Sequence, residues 1–143
     1  EQMVDFGFVG DVDQCDGKML ATLIGEGVVP VMAPLTHDKE GHLLNTNADT
    51  IAGETAKALA PYFDVTLIYS FEHAGVLTDP DDETSVIPHI TAESFEQLKA
   101  DGTVSGGMIP KIENALEAVK AGVKRVIITK ADAIDGKQGT IIS

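Results

Sequence analysis

The feature that most constrains the fold of this chain is an alternation. Short runs of β-branched and aromatic residues take turns with longer stretches whose apolar residues recur at helical spacing. Val4 to Val9, Val28 to Leu35, Val65 to Tyr69, Val126 to Thr129 and Thr140 to Ile142 have the length and composition of strands. Val28 to Leu35 is apolar enough for a buried parallel strand, although Pro30 and Pro34 remove ladder donors there. Between these runs, Lys18 to Glu26 carries Met19, Leu20, Leu23 and Ile24 on one helix face, and Gly27 is placed to end it. Asn47 to Ala60 is alanine-rich with Asp49 in its first turn, and Thr91 is the expected N-cap of a helix through Ala100. Gly102 breaks that helix, and Gly106 and Gly107 open another that runs to Ala121 and stops at Gly122. Thr36 to Leu44, polar with Gly41 at its centre, reads as a hairpin-like excursion. Strands alternating with helices predict an α/β sheet with helices on both faces.

Length and charge exclude several functions. A chain of 143 residues is one domain's worth of sequence. No apolar run is long enough to span a bilayer, and none reads as a signal peptide. Cys15, the only cysteine, permits no disulfide within the chain and fits a reducing cytoplasm. The net charge of −13 arises from 23 acidic and 10 basic residues, a balance that repels a polyphosphate backbone and argues against nucleic-acid binding. A phosphorylated small molecule is still admissible, because it needs local donors and not a basic face.

Three constellations carry possible chemistry. In Ser105-Gly106-Gly107-Met108-Ile109-Pro110-Lys111, two glycines let backbone N–H groups approach a ligand, and the following helix offers its positive end to an anion. Lys111 lies in or near the first turn, where a cation opposes the helix dipole; either a ligand supplies the counter-charge or the lysine simply faces solvent. This is not a Walker A loop, which places its lysine directly after the second glycine. In Asn45-Thr46-Asn47-Ala48-Asp49, capping explains one or two polar side chains but not the whole cluster, which is also suited to bind a carboxylate and orient a lysine. Glu72-His73-Ala74-Gly75-Val76-Leu77 follows a strand, at the end of a sheet where ligands of open α/β folds bind, or is an ordinary surface turn. The four histidines, His37, His42, His73 and His89, lack a metal-ligand spacing, and no metal site is expected. Asp79, Asp81, Asp82 and Glu83 lack the alternation of a calcium loop and read as a solvated acidic stretch.

Taken in order, Asn45-Thr46-Asn47-Ala48-Asp49 before an alanine-rich helix, Gly75-Val76-Leu77 after a strand, Ser105 to Lys111 and the closing Gly139-Thr140-Ile141-Ile142 resemble the acetylglutamate kinases of the amino-acid kinase family. The opening Asp5 to Val12 resembles that family's segment leading into its second half. The resemblance runs through essentially all of residues 1–143 and implies the C-terminal, ATP-binding half of such a kinase, with the substrate and lid half lying outside this sequence. It implies a three-layer αβα sandwich with a mainly parallel sheet. It also implies ATP-dependent phosphorylation of the γ-carboxylate of N-acetyl-L-glutamate, an early step of arginine synthesis, with Mg²⁺ accompanying the nucleotide.

By the same resemblance, Lys111 is the lysine that stabilises the transferring phosphoryl group and Asp49 the aspartate that organises the catalytic lysines. Asn45 and Asn47 fall at the acylated amino acid. Glu72, His73, Ala74, Gly75, Val76 and Leu77, with Thr103, Val104, Ser105, Gly106, Gly107 and Met108, line the nucleotide. Glu72 and His73 depart from the Asp-Val common in the family. The absence of the substrate and lid half implies that this polypeptide alone is inactive or nearly so; the resemblance also implies a homo-oligomer at full length. Two other readings stay open: a kinase of another N-acylglutamate, such as N-succinylglutamate, and a non-catalytic nucleotide- or amino-acid-binding module.

Overall fold

Local signals set most of the helices. The computed structural model describes residues 6–143, so Val4 and Asp5 of the first expected strand lie outside the described residues. The remainder of that run pairs only around Asn45, where Gly10 N–H donates to Asn45 O and Asn45 N–H to Phe8 O. The first helix, α1 (Gly17–Gly25), is capped by Asp16, whose Oδ1 accepts from Met19 N at 2.9 Å. Its Gly17 is needed for packing: a Cβ there would lie 2.0 Å from Ala58 O. The expected excursion is a true hairpin, β1 (Leu35–His37) antiparallel to β2 (Leu43–Asn45). Next come α2 (Ala48–Leu59), β3 (Thr66–Phe71) and the short β4 (His89–Ile90).

The third helix, α3 (Ala92–Ala100), begins with a reciprocal cap: Thr91 Oγ1 accepts from Ser94 N, and Ser94 Oγ accepts from Thr91 N. It leads to α4 (Met108–Lys120), ended by Gly122 at φ +104°. The chain finishes with β5 (Arg125–Lys130), a 3₁₀ turn over Ala131–Ala133 and β6 (Thr140–Ile142).

One expectation is corrected. Val28 to Leu35 is not a buried strand: only Leu35 enters a ladder, and Val29 and Val31 are 83% and 95% exposed. Hydrophobicity makes a segment competent to be a strand, but a ladder requires a neighbour, and Pro30 and Pro34 offer no N–H to recruit one.

The main sheet has the order β3-β5-β6-β4, with β3 parallel to β5, β4 parallel to β6, and β5 antiparallel to β6. Alternation along β5 sends Val126 and Ile128 to the face covered by α2 and α4, where they join Ile90, Phe95, Ile112, Ala115, Ala118 and Ile142 in one core. Ile127 points to the other face, where a Cβ at Gly136 would stand 3.8 Å from its Cδ1. Because α2 leads into β3 and α4 into β5, both helices run antiparallel to their strands. Their N-termini therefore meet above the carboxyl ends of β3 and β5.

Candidate functional site

At that meeting point, Lys111 Nζ donates to Asp49 Oδ2 at 2.5 Å. The lysine side chain is 15% exposed and the aspartate 40%, so the pair sits at the rim of the core and within reach of solvent. Two helix N-termini place partial positive charge here; that of α2 is capped by Asn47 and carries Asp49, whereas the first turn of α4 holds no acidic residue and no side-chain cap. Gly106 adopts φ +57°, which a glycine tolerates, and turns the chain into α4. The bonds from Met108 N to Ser105 O and from Ile109 N to Gly106 O are long, at 3.3 Å each. Pro110 contributes no N–H at all. Among the described residues, the amides of Gly106 and Gly107 donate to no acceptor. The arrangement is a cationic, donor-rich rim suited to an anion.

The polar cluster before α2 divides its work. Asn47 is the N-cap, its Oδ1 accepting from Asp49 N at 2.8 Å and Thr50 N at 3.2 Å, so the capping account holds for this residue. Thr46 is buried and bonds Thr36 through its hydroxyl. Asn45 has its backbone tied to Phe8 and Gly10, while its side chain is exposed and hydrogen-bonds nothing among the described residues. Asp49 alone of the cluster touches Lys111.

The 72–77 loop leaves the carboxyl end of β3 and is pinned at both ends. His73 Nδ1 lies 2.7 Å from Glu83 Oε1, while Glu83 Oε2 accepts from Lys130 Nζ at 2.9 Å and from Ala74 N at 3.4 Å. These partners, His73 first and Lys130 next, hold the Glu83 carboxyl down at about 2. At the inner end Thr140 Oγ1 accepts from Val76 N at 2.8 Å and donates to Ile87 O at 2.7 Å. A Cβ on Gly75 would stand 2.7 Å from that hydroxyl, so only glycine passes here. Val76, Leu77 and Val104 are buried, Val76 and Val104 in the hydrophobic core, whereas Glu72, Ser105, Gly106 and Gly107 are at the surface. Thr103 N is held by Asp101 Oδ1, which starts the turn into Ser105.

Several contributors were not visible as sequence signals. Tyr69 and Phe71 place their rings 5.0 and 5.8 Å from Lys111 Nζ, and the Tyr69 hydroxyl donates to Asp49 O at 3.2 Å. Glu83, taken from sequence as part of a solvated acidic stretch, is instead the clamp of the 72–77 loop. Lys130 lies just past the expected strand of Val126 to Thr129, and Thr140 enters only as the start of a strand and in the closing motif of the resemblance, with no role of its own.

Two other features lie apart from Lys111. A cleft of about 630 Å³ between α1, the β1–β2 hairpin and α2 is lined by Asp11, Asp13, Asp16, Asp38 and Glu54 among others, a set that repels a phosphate. Asp38, Glu40 and His42 bring three possible ligand atoms within 4.8 Å at the exposed hairpin turn. Asp38 is committed there to His42 Nδ1 and to the amides of Glu40 and His42, which hold its carboxyl at about 2.

Residues 2–130 match the model of the amino acid kinase family. The chain belongs to that family. The α/β sandwich with a mainly parallel sheet that the resemblance implies is the family's fold, with β5 and β6 as its antiparallel pair. Its acetylglutamate kinase relatives include those of Bacteroides thetaiotaomicron and Phocaeicola vulgatus, 64% and 61% identical over 97% of this chain. This chain covers 54% of each of them, so it spans about half the length of these curated relatives. Among solved structures, a Streptococcus mutans protein (smu.665) superposes with a TM-score of 0.77 at 33% identity, over 99% of this chain and 55% of its own. No helix among the described residues is long and apolar enough to cross a membrane.

Proposed function

We propose that this chain is the ATP-binding part of a kinase that phosphorylates the γ-carboxylate of N-acetyl-L-glutamate, in the cytoplasm and in the service of arginine synthesis. The observation that carries the reading is the contact of Lys111 with Asp49 where the N-termini of α2 and α4 converge. Phosphoryl transfer spreads charge over the equatorial oxygens of the moving group, and the protein's task is to position the reactants and neutralise that charge. Lys111 supplies the cation, Asp49 aims it, and the unpaired amides of Gly106 and Gly107 are donors for the phosphates. The 72–77 loop and Thr103 to Met108 border the nucleotide, while Asn45 and Asn47 face the acylated amino acid. Mg²⁺ enters with ATP as the counter-ion of its phosphates. The acceptor carboxylate is ionised at neutral pH and is already a nucleophile, so no general base is required.

The test uses the complete polypeptide that carries this sequence. Incubated with ATP, Mg²⁺ and N-acetyl-L-glutamate, it yields a hydroxylamine-trappable acyl phosphate. Lys111→Ala reduces kcat by about 10²- to 10³-fold with ATP binding still measurable. Product from N-succinylglutamate alone would change the acyl group and keep the chemistry. No product from any acylated glutamate, with the protein folded, would leave a binding module.

A further inference from the structure

We propose that Tyr69 and Phe71 are positioning residues for Lys111, their ring faces holding its ammonium group over β3 so that N–H donors stay available to the phosphoryl group. The inference rests on the reading of Lys111 as the phosphoryl-stabilising lysine. Tyr69 and Phe71 are two apart on one strand, so both rings rise from the same face of the sheet. Lys111 Nζ stands 5.0 Å from the Tyr69 centroid and 5.8 Å from that of Phe71, within cation–π range of both.

An ammonium held only by carboxylates would spend its donors on them, and each carboxylate would repel an incoming phosphate. Ring faces attract the cation through their quadrupole, carry no net charge and consume no N–H donor. Among the described residues Asp49 is the one carboxylate bonded to Lys111, which leaves two of its three donors uncommitted to that partner. Tyr69 is itself fixed: it is 4% exposed, and its hydroxyl donates to Asp49 O at 3.2 Å. Gly53 leaves room for that hydroxyl, since a Cβ there would approach it to 3.3 Å. Burial, with Asp49 and Glu54 nearby, pushes the phenol up to about 12, so it remains a neutral donor.

The complete polypeptide carrying Tyr69→Leu or Phe71→Leu is expected to lose on the order of tenfold in kcat, with KM for MgATP nearly unchanged. Tyr69→Phe, which keeps the ring, recovers most of that loss. Ring currents also displace the Lys111 ε-methylene proton signals upfield in the unliganded protein, and the leucine variants return them toward the free-lysine position. Wild-type kcat in both leucine variants, or equal damage from Tyr69→Phe and Tyr69→Leu, would overturn the inference. If Tyr69→Leu fails to fold, the partly buried Phe71 carries the test. An undisplaced ε-methylene signal in the wild type removes the ring contact itself. Absence of acyl phosphate from the wild type removes the kinase reading and leaves the ring-current result to stand separately.

Discussion

Asp49 and Lys111 come from the first turns of different helices, 62 residues apart in sequence, and meet at 2.5 Å. Asp49→Asn keeps the shape and removes the charge that aims the lysine. It is expected to lower kcat at least tenfold in the complete polypeptide. Because the aspartate is 40% exposed, the stability cost stays within about 1 kcal/mol. Steady-state kinetics beside urea denaturation separates the two effects, and a large stability loss with intact kcat would reverse the assignment.

Thr140 and Gly75 make the inner anchor of the 72–77 loop. Thr140→Val leaves Val76 N–H and Ile87 C=O without their buried partner, at an expected cost of about 1–3 kcal/mol. Gly75→Ala drives a methyl group to 2.7 Å from the same hydroxyl and costs about 1–3 kcal/mol by overpacking. Both are read from denaturation midpoints, and both should weaken ATP binding beyond their effect on folding.

Glu83 predicts a dependence on acid. Its carboxyl is depressed in the folded state to about 2, from an ordinary 4.5, so its contribution is fully present above 4.5 and is lost as pH falls toward 2. The stability gap between wild type and Glu83→Gln should close as pH falls from 4.5 to 2. Asp38, also held at about 2, is present in both proteins and cancels in the difference. A gap that ignores pH across that window would mean the clamp does not form.

Val31 and Ile128 test the corrected segment. In this 143-residue chain Val31 is 95% exposed, so Val31→Thr should change stability by less than about 0.5 kcal/mol. Ile128 is fully buried, and Ile128→Ala should cost about 2–5 kcal/mol. A large effect at Val31 would restore the buried strand.

What could be read from sequence follows the range of the interaction. The caps at Asn47 and Thr91, the stop at Gly122 and the hairpin around Gly41 are short-range events, and each was legible. Lys111 and Asp49 were legible as candidates because a lysine after a glycine pair and a cluster richer than capping needs are both locally anomalous. The Tyr69 and Phe71 rings gave no such sign, since aromatic residues in a strand are what a core ordinarily requires. Glu83 was invisible as a clamp because its partners His73 and Lys130 are assigned to it only by the parallel pairing of β3 with β5. Val28 to Leu35 failed for the opposite reason: its composition was clear, and the missing information was which strand would lie beside it.

The sheet order has a consequence for biosynthesis. Among the described strands β4 bonds only to β6, and β6 is inserted between β4 and β5 although it is translated last of the three. His89 and Ile90 must therefore wait, unpaired, until the ribosome has released Ile142. A nascent chain stalled before Thr140 would leave the β5 edge, from Val126 to Ile128, without its antiparallel neighbour.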